Sequence, residues 1–218
     1  MTSPIHDPDQ PKAESFIDWF HVNSRIVTIG GGVVVVAAFV FWFMQRTAMN
    51  ETINSDKQLL VAKQSLSSGN APLAEADLKK VYDKYGSKPA GAEAGLLIGQ
   101  LRLEKGDNQG ALTFLQAMAS KVGDGPAAAS VGGLLGDALE QLGKTAEAAA
   151  QYEKAAGLTK LTNEKTFLLS KAGRAYLAAG KRAEAQKVFE GLANQSDNPA
   201  LATEARVRLG ELAAGNKA

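Results

Sequence analysis

The chain of 218 residues has no cysteine, so disulfides, thiolate metal centres and thiol catalysis are excluded. An oxidising compartment suits such a chain without being required by it. Histidine is nearly missing as well. His6 and His21 both lie close to the N-terminus, so the rest of the chain can assemble neither a Ser-His-Asp set nor a histidine-rich metal site. There is no excess of one charge. A net of +1 offers no bulk attraction to nucleic acid or to an anionic membrane surface, and Lys79-Lys80 is too small a patch to alter that. Aromatic residues are only 6%, and both tryptophans and five of the eight phenylalanines fall within residues 1–43. The remainder is rich in Ala, Leu, Gly, Lys and Glu. This break near residue 45 marks two physically different parts.

Residues 1–24 read as a polar tail and an interfacial segment. Three prolines and scattered charge come first, followed by Phe16, Ile17, Trp19 and Phe20, a set suited to lying in a membrane interface. Residues 25–46 read as a transmembrane helix. From Ile26 to Gln45 there is no charged residue, and a helix of that length spans ~30 Å, the thickness of a hydrocarbon core. Arg25 and Arg46 bracket the run, and Trp19, Phe20, Trp42 and Phe43 stand where aromatic belts form. A cleaved signal peptide fits less well, because the run is too long and its FVFWFM end has no small-residue cleavage pattern. Gly30-Gly31-Gly32 lacks the strand and Lys-Ser/Thr of a phosphate loop. Such a run permits close approach of another membrane helix. Lys12 and Arg25 on one side, against Arg46, Lys57 and Lys63 on the other, leave the orientation undecided by charge. No Gly or Pro interrupts the chain between Val33 and Ser68, yet Ser55-Asp56-Lys57-Gln58 is a capping-box pattern that would mark a kink or a fresh start.

Residues 47–218 repeat every 37 residues. Gly69, Gly106, Gly143 and Gly180 form one series, and Ala74, Ala111, Ala148 and Ala185 a second. A third is always bulky: Leu78, Leu115, Tyr152 and Phe189. A fourth, seven residues before each glycine of the first, is always small: Ala62, Gly99, Gly136 and Gly173. Val81, Met118, Ala155 and Leu192 are apolar throughout, and one more step from Gly173 lands on Gly210. A fixed period in this range predicts a stacked repeat architecture. Each copy reads as two helices joined at a glycine that supplies a left-handed turn. The expected pairs are about 53–84, 90–121, 127–158 and 164–195, with a capping helix over 200–214.

The pattern resembles the tetratricopeptide repeat: Gly173-Arg-Ala-Tyr176 in the first helix, Gly180 at the turn, Ala185 and Phe189 in the second helix, and Pro89, Pro126 and Pro199 near the repeat ends. The period exceeds the usual ~34, and the extra residues fit joints such as Val122-Gly-Asp-Gly-Pro126. The resemblance implies an all-α, right-handed solenoid of about four helix pairs. It also implies a concave groove lined by first-helix residues, here Lys63, Leu66, Gln100, Leu103, Asp137, Glu140, Arg174 and Leu177, with the leucines as an apolar strip. Lys63, Gln100 and Arg174, with Leu59 and Leu96, do not reproduce the carboxylate-gripping set of some members. Glu147, Glu153, Glu184 and Glu190 recur beside Lys154 and Lys187 as solvated helix-surface pairs, not acid–base machinery.

FIDWFHVNSRIVTIGGGVVVV leading into a long helix and repeats is similar to the bacterial membrane-anchored proteins related to the ancillary subunit of the SecYEG translocon. That likeness implies a single-pass protein of the inner membrane, N-terminus cytoplasmic and repeats periplasmic. It implies a non-enzymatic scaffold docked on a membrane protein complex, with a part in handing over exported proteins. An accessory structural subunit of a respiratory, photosynthetic or other secretion complex is the alternative. The lipid bilayer and a protein complex are the expected partners. No cofactor, metal, nucleic acid or small-molecule substrate is expected.

Overall fold

The computed structural model describes residues 24–195 and 198–214. Trp19, Phe20 and the tail and interfacial segment fall outside them. The chain divides into two compact units, residues 1–51 and 52–218.

The described part of the first unit belongs to α1 (Ser24–Ser67). Val33–Val36, Phe39, Phe41, Trp42 and Phe43 are each about half exposed or more. This stretch is long and apolar enough to cross a membrane. Two hydroxyls in it bond back within the helix, Thr28 Oγ1 donating to Ser24 O at 2.7 Å and Thr47 Oγ1 to Met44 O at 2.9 Å.

The second unit is a stack of helix pairs. The C-terminal turns of α1 pack on α2 (Ala71–Tyr85). Three further pairs follow: α3 (Pro89–Glu104) with α4 (Asn108–Val122), α5 (Ala128–Gln141) with α6 (Thr145–Leu158), and α7 (Thr162–Ala178) with α8 (Arg182–Ala193). A single helix, α9 (Pro199–Ala214), covers the end. There is no strand among the described residues.

The 37-residue series explain the nesting. Gly69, Gly106, Gly143 and Gly180 have φ of +76, +78, +74 and +73, the left-handed conformation that costs a residue with a Cβ. Each ends a first helix. At Gly106, Gly143 and Gly180 the turn is a Schellman motif: Gly106 N donates to Leu103 O at 3.0 Å and Asp107 N to Arg102 O at 2.9 Å, and the other two repeat the pair. Asn70 and Asp107 then cap the second helices by accepting from Leu73 N and Gly110 N. Lys144 and Lys181 make no such bond, and Glu147 and Glu184 in the first turn favour those helix starts electrostatically instead.

Small and bulky residues meet within each pair. A Cβ on Gly99, Gly136 or Gly173 would lie 2.7, 2.3 or 2.8 Å from Leu115, Tyr152 or Phe189. In the first pair Ala62 and Leu78 take these roles, both wholly buried. Ala74, Ala111, Ala148 and Ala185 are likewise at 0% exposure, and Val81, Met118, Ala155 and Leu192 at no more than 2%. Gly210 differs: it is exposed, with open space around its Cα, in keeping with the terminal position of α9.

The capping-box pattern at Ser55 does not start a helix. Ser55 lies inside α1, fully buried, its Oγ donating back to Thr52 O at 2.7 Å. A hydroxyl that finds a carbonyl one turn back within its own helix does not need to cap another.

Candidate protein-interaction surface

The first helices α1, α3, α5, α7 and α9 lie side by side, and the residues expected to line a groove belong to them. Several tie one repeat to the next. Lys63 on α1 pairs with Glu93 on α3, and Lys171 on α7 pairs with Asp137 on α5. Arg174 on α7 lies 3.9 Å from Glu204 on α9. These pairs are partly exposed, so each is worth at most ~1 kcal/mol, but together they fix which helix faces meet. Gln100 is exposed and donates to Glu104 at 2.9 Å. Leu66 and Leu177 are half-buried. Leu103 is buried at 7% in the core, which breaks the expected leucine strip. It lies one turn from the Schellman glycine, where the chain bends back and encloses it.

Asp137 and Glu140 have a second role. The Tyr152 hydroxyl lies 2.5 Å from Asp137 Oδ1 and 2.8 Å from Glu140 Oε2, and one O–H serves both acceptors. Burial, and then the Asp137 carboxylate, push this phenol far above its ordinary range. The Lys171 ammonium stands 5.0 Å from the Tyr152 ring centre and 5.4 Å from that of Phe167. Tyr176 on α7 donates to Glu153 on α6 at 2.6 Å, and burial followed by that bond pushes its hydroxyl up to about 12. At Glu75, burial opposes ionisation. Hydrogen bonds from Arg102 and Lys105 on the neighbouring α3 repeat outweigh it and hold the carboxyl below its ordinary value.

The recurring carboxylates have other neighbours than Lys154 and Lys187. Glu147 lies 3.9 Å from Lys144, Glu184 lies 3.7 Å from Lys181, and Glu190 accepts from Gln186 at 2.8 Å. Glu153 bonds across repeats to Tyr176. Among the expected anchor residues, Arg25 and Phe43 are exposed, and the Arg46 guanidinium lies 5.4 Å from the half-exposed Trp42 ring.

A cleft of about 570 Å³ between α3 and α5 has no counterpart in the sequence reading. Its walls come from joint residues whose approach depends on backbone turns, so neither residue type nor spacing announces it. Two residue pairs carry a fainter signal. Lys63 and Glu93, and Arg174 and Glu204, are opposite charges 30 residues apart in the same phase of the repeat.

Helical pairs in a constant register, small against bulky, with first helices side by side, define a helical-repeat protein of the interaction-scaffold type. A family model described as a tetratricopeptide repeat-like domain matches residues 43–172, and the chain belongs to that family. No curated protein matches it. Among solved structures, the nearly identical TPR-like repeats of a putative kinesin light chain from Podosopora anserina share 17% identity, with a TM-score of 0.58 over 74% of this chain and 86% of that one. A tetratricopeptide repeat protein from Parabacteroides merdae shares 16% identity, with a TM-score of 0.59 over 74% and 60%. BtubC (BKLC) from P. vanneervenii shares 16%, with a TM-score of 0.58 over 72% and 70%. At these identities the likeness is one of fold.

Proposed function

We propose that the protein is a membrane-tethered, non-enzymatic scaffold whose repeats dock on a membrane protein complex of a bacterial inner membrane. The secretion translocon and the handover of exported proteins are its setting. Tetratricopeptide-like repeats are typically interaction scaffolds. The observation that carries the membrane part is the apolar surface of α1 from Ile29 to Met44, where large side chains stand more than half exposed at most positions. At ~25 cal/mol per Å² such a surface is costly in water and at rest in lipid. The N-terminus is then cytoplasmic and the repeats periplasmic. The groove residues Lys63, Leu66, Gln100, Asp137, Glu140, Arg174 and Leu177 form the docking face, with the half-buried Leu66 and Leu177 as its apolar contacts.

Crosslinking in native membranes followed by mass spectrometry tests the partner. Repeated recovery of translocon subunits supports the reading, and stoichiometric recovery of a respiratory or photosynthetic complex replaces it. Protease treatment of spheroplasts tests orientation, since repeats that survive digestion until the cells are lysed would be cytoplasmic.

A further inference from the structure

Between repeats the chain passes from a second helix to the next first helix in short joints, residues 86–88, 123–127 and 159–161. These joints share one edge of the stack, opposite the edge that carries Gly69, Gly106, Gly143 and Gly180. α1 enters the second unit at the joint edge: Gln58 Nε2 donates to the hydroxyl of Tyr85, the last residue of α2, at 3.0 Å. Only a short stretch leads from Gln45, the end of the uncharged run, to Thr52, the first residue of the second unit. A stretch of that length reaches at most ~25 Å in any conformation. With α1 in a bilayer, the joint edge therefore begins within that distance of the lipid.

The third joint departs from the repeat in a way that packing does not require. Leu158 stands in the column of Lys84, Lys121 and Gln195, and Leu161 in that of Ser87, Asp124 and Asn198. Both columns are otherwise polar, yet here both hold leucine, 37% and 68% exposed. The joint between them is tied down: Leu161 N donates to Thr159 Oγ1 at 3.1 Å, and Thr159 Oγ1 donates to Glu164 at 2.5 Å. The exposed Lys160 and Lys165 lie on either side of Leu161, and Glu164 between them also accepts from Ser130 at 3.0 Å. Elsewhere on this edge stand the exposed Lys84, Lys121 and Asp124, while Asp83 is matched by Lys79. Pro89, Ala92, Leu96, Val122 and Pro126 add the apolar walls of the cleft between the first two joints.

We propose that the joint edge rests on the bilayer that α1 spans, with Leu158 and Leu161 among the lipid headgroups and Lys160 and Lys165 against lipid phosphates. Exposed leucines flanked by lysines suit that boundary, because the apolar groups leave water while the ammoniums stay level with the phosphates. Two leucines are too little to hold a soluble protein on a membrane. Here the anchor keeps them close to the lipid at high effective concentration, so a weak second contact is enough to form. Anchor and joint together then fix the tilt of the stack against the membrane. This contact rests on the anchor reading of α1 and needs no protein partner.

The test uses the full chain in lipid nanodiscs whose lipids carry a nitroxide quencher on the headgroup or on the acyl chain. The chain has no cysteine, so a single introduced cysteine takes a fluorophore at one site. Labels are compared at Asn163 beside the third joint, at Gln109 and Gln141 near the turn edge, and at Val36 in the apolar part of α1. Headgroup quenching at Asn163 should be at least about threefold that at Gln109 or Gln141, since only a label within ~5–10 Å of the headgroup boundary is reached. Leu158→Asp with Leu161→Asp should lower Asn163 to the level of Gln109, and the circular dichroism melt should hold because both columns accept polar residues. Lys160→Glu with Lys165→Glu should lower it in nanodiscs containing phosphatidylglycerol, and that pair decides if the leucine pair alters the melt. Quenching at Asn163 no greater than at Gln109, or indifferent to these substitutions, would overturn the proposal, while acyl-chain quenching at Val36 keeps the anchor. No quenching at Val36 would overturn the anchor reading and this contact with it.

Discussion

Replacing Gly173 by alanine drives a methyl group into an aromatic ring. The new Cβ would lie 2.8 Å from Phe189 Cε1 and Cζ and 3.2 Å from Cε2, and Phe189 is wholly buried, so the ring has nowhere to retreat. Overpacking of this kind costs ~1–3 kcal/mol. It is opposed by ~1 kcal/mol of helix propensity, because Gly173 lies inside α7. The net is a loss of ~0–2 kcal/mol, too small a margin to interpret alone. The first repeat supplies the control. Ala62 and Leu78 hold the same two positions at 0% exposure, so alanine can be accommodated against leucine, provided that the flexible end of the leucine gives way, as Leu115 would have to for a Cβ on Gly99 at 2.7 Å. In a Phe189→Leu background, Gly173→Ala should therefore be neutral or stabilising by up to ~1 kcal/mol. The double-mutant cycle should return a coupling of ~1–3 kcal/mol. Native-state hydrogen exchange of α7 and α8 amides reads the opening free energy of this pair directly. If Gly173→Ala has the same effect in both backgrounds, the ring does not dictate the residue at 173 and the nesting account fails.

Gly180 has φ of +73 with open space around its Cα, so Gly180→Ala should cost ~1–2 kcal/mol through the backbone alone and Gly180→Asn less. Equal melting temperatures for all three proteins would refute this. The Tyr176 hydroxyl titrates at about 12 in the folded chain against 10.0 ordinarily. Above the lower value the unfolded chain has lost a proton that the folded chain keeps, so stability is full below about pH 10 and falls as pH rises through about 12. Tyr152 is shifted in the same direction. Urea midpoints across alkaline pH should fall less steeply for Tyr176→Phe, and an unchanged slope would count against the Glu153 bond. Glu75 titrates below its ordinary 4.5 when folded, so its contribution is present above that pH and lost as pH falls through the folded value. Glu75→Gln should flatten the acid limb of the same measurement, while an identical limb would show that Arg102 and Lys105 do not hold it.

The repeat was readable because it rests on side-chain size and on one backbone conformation. Gly69, Gly106, Gly143 and Gly180 recur since a left-handed turn tolerates little else, and that demand is local. Gly136 and Tyr152, or Gly173 and Phe189, are readable as a pair because they lie within one helical hairpin, where sequence distance fixes spatial distance. The candidate surface was less legible. Leu103 looks like a groove residue by its phase, but the bend after it carries the chain across it and buries it. Ser55 looks like a cap and is an interior residue of α1, because nothing in a four-residue pattern tells whether a preceding helix has ended.

Sequence alone determined the class of fold, the period, the turn glycines and the apolar stretch near the N-terminus, all consequences of interactions within a few turns of the chain. Only the tertiary structure decided which charges meet between repeats, that Tyr152 is shared by Asp137 and Glu140, and that a cleft stands open between α3 and α5. Those features depend on the angle at which one helix rests on the next. That angle is a compromise among many packed side chains, and no single residue encodes it.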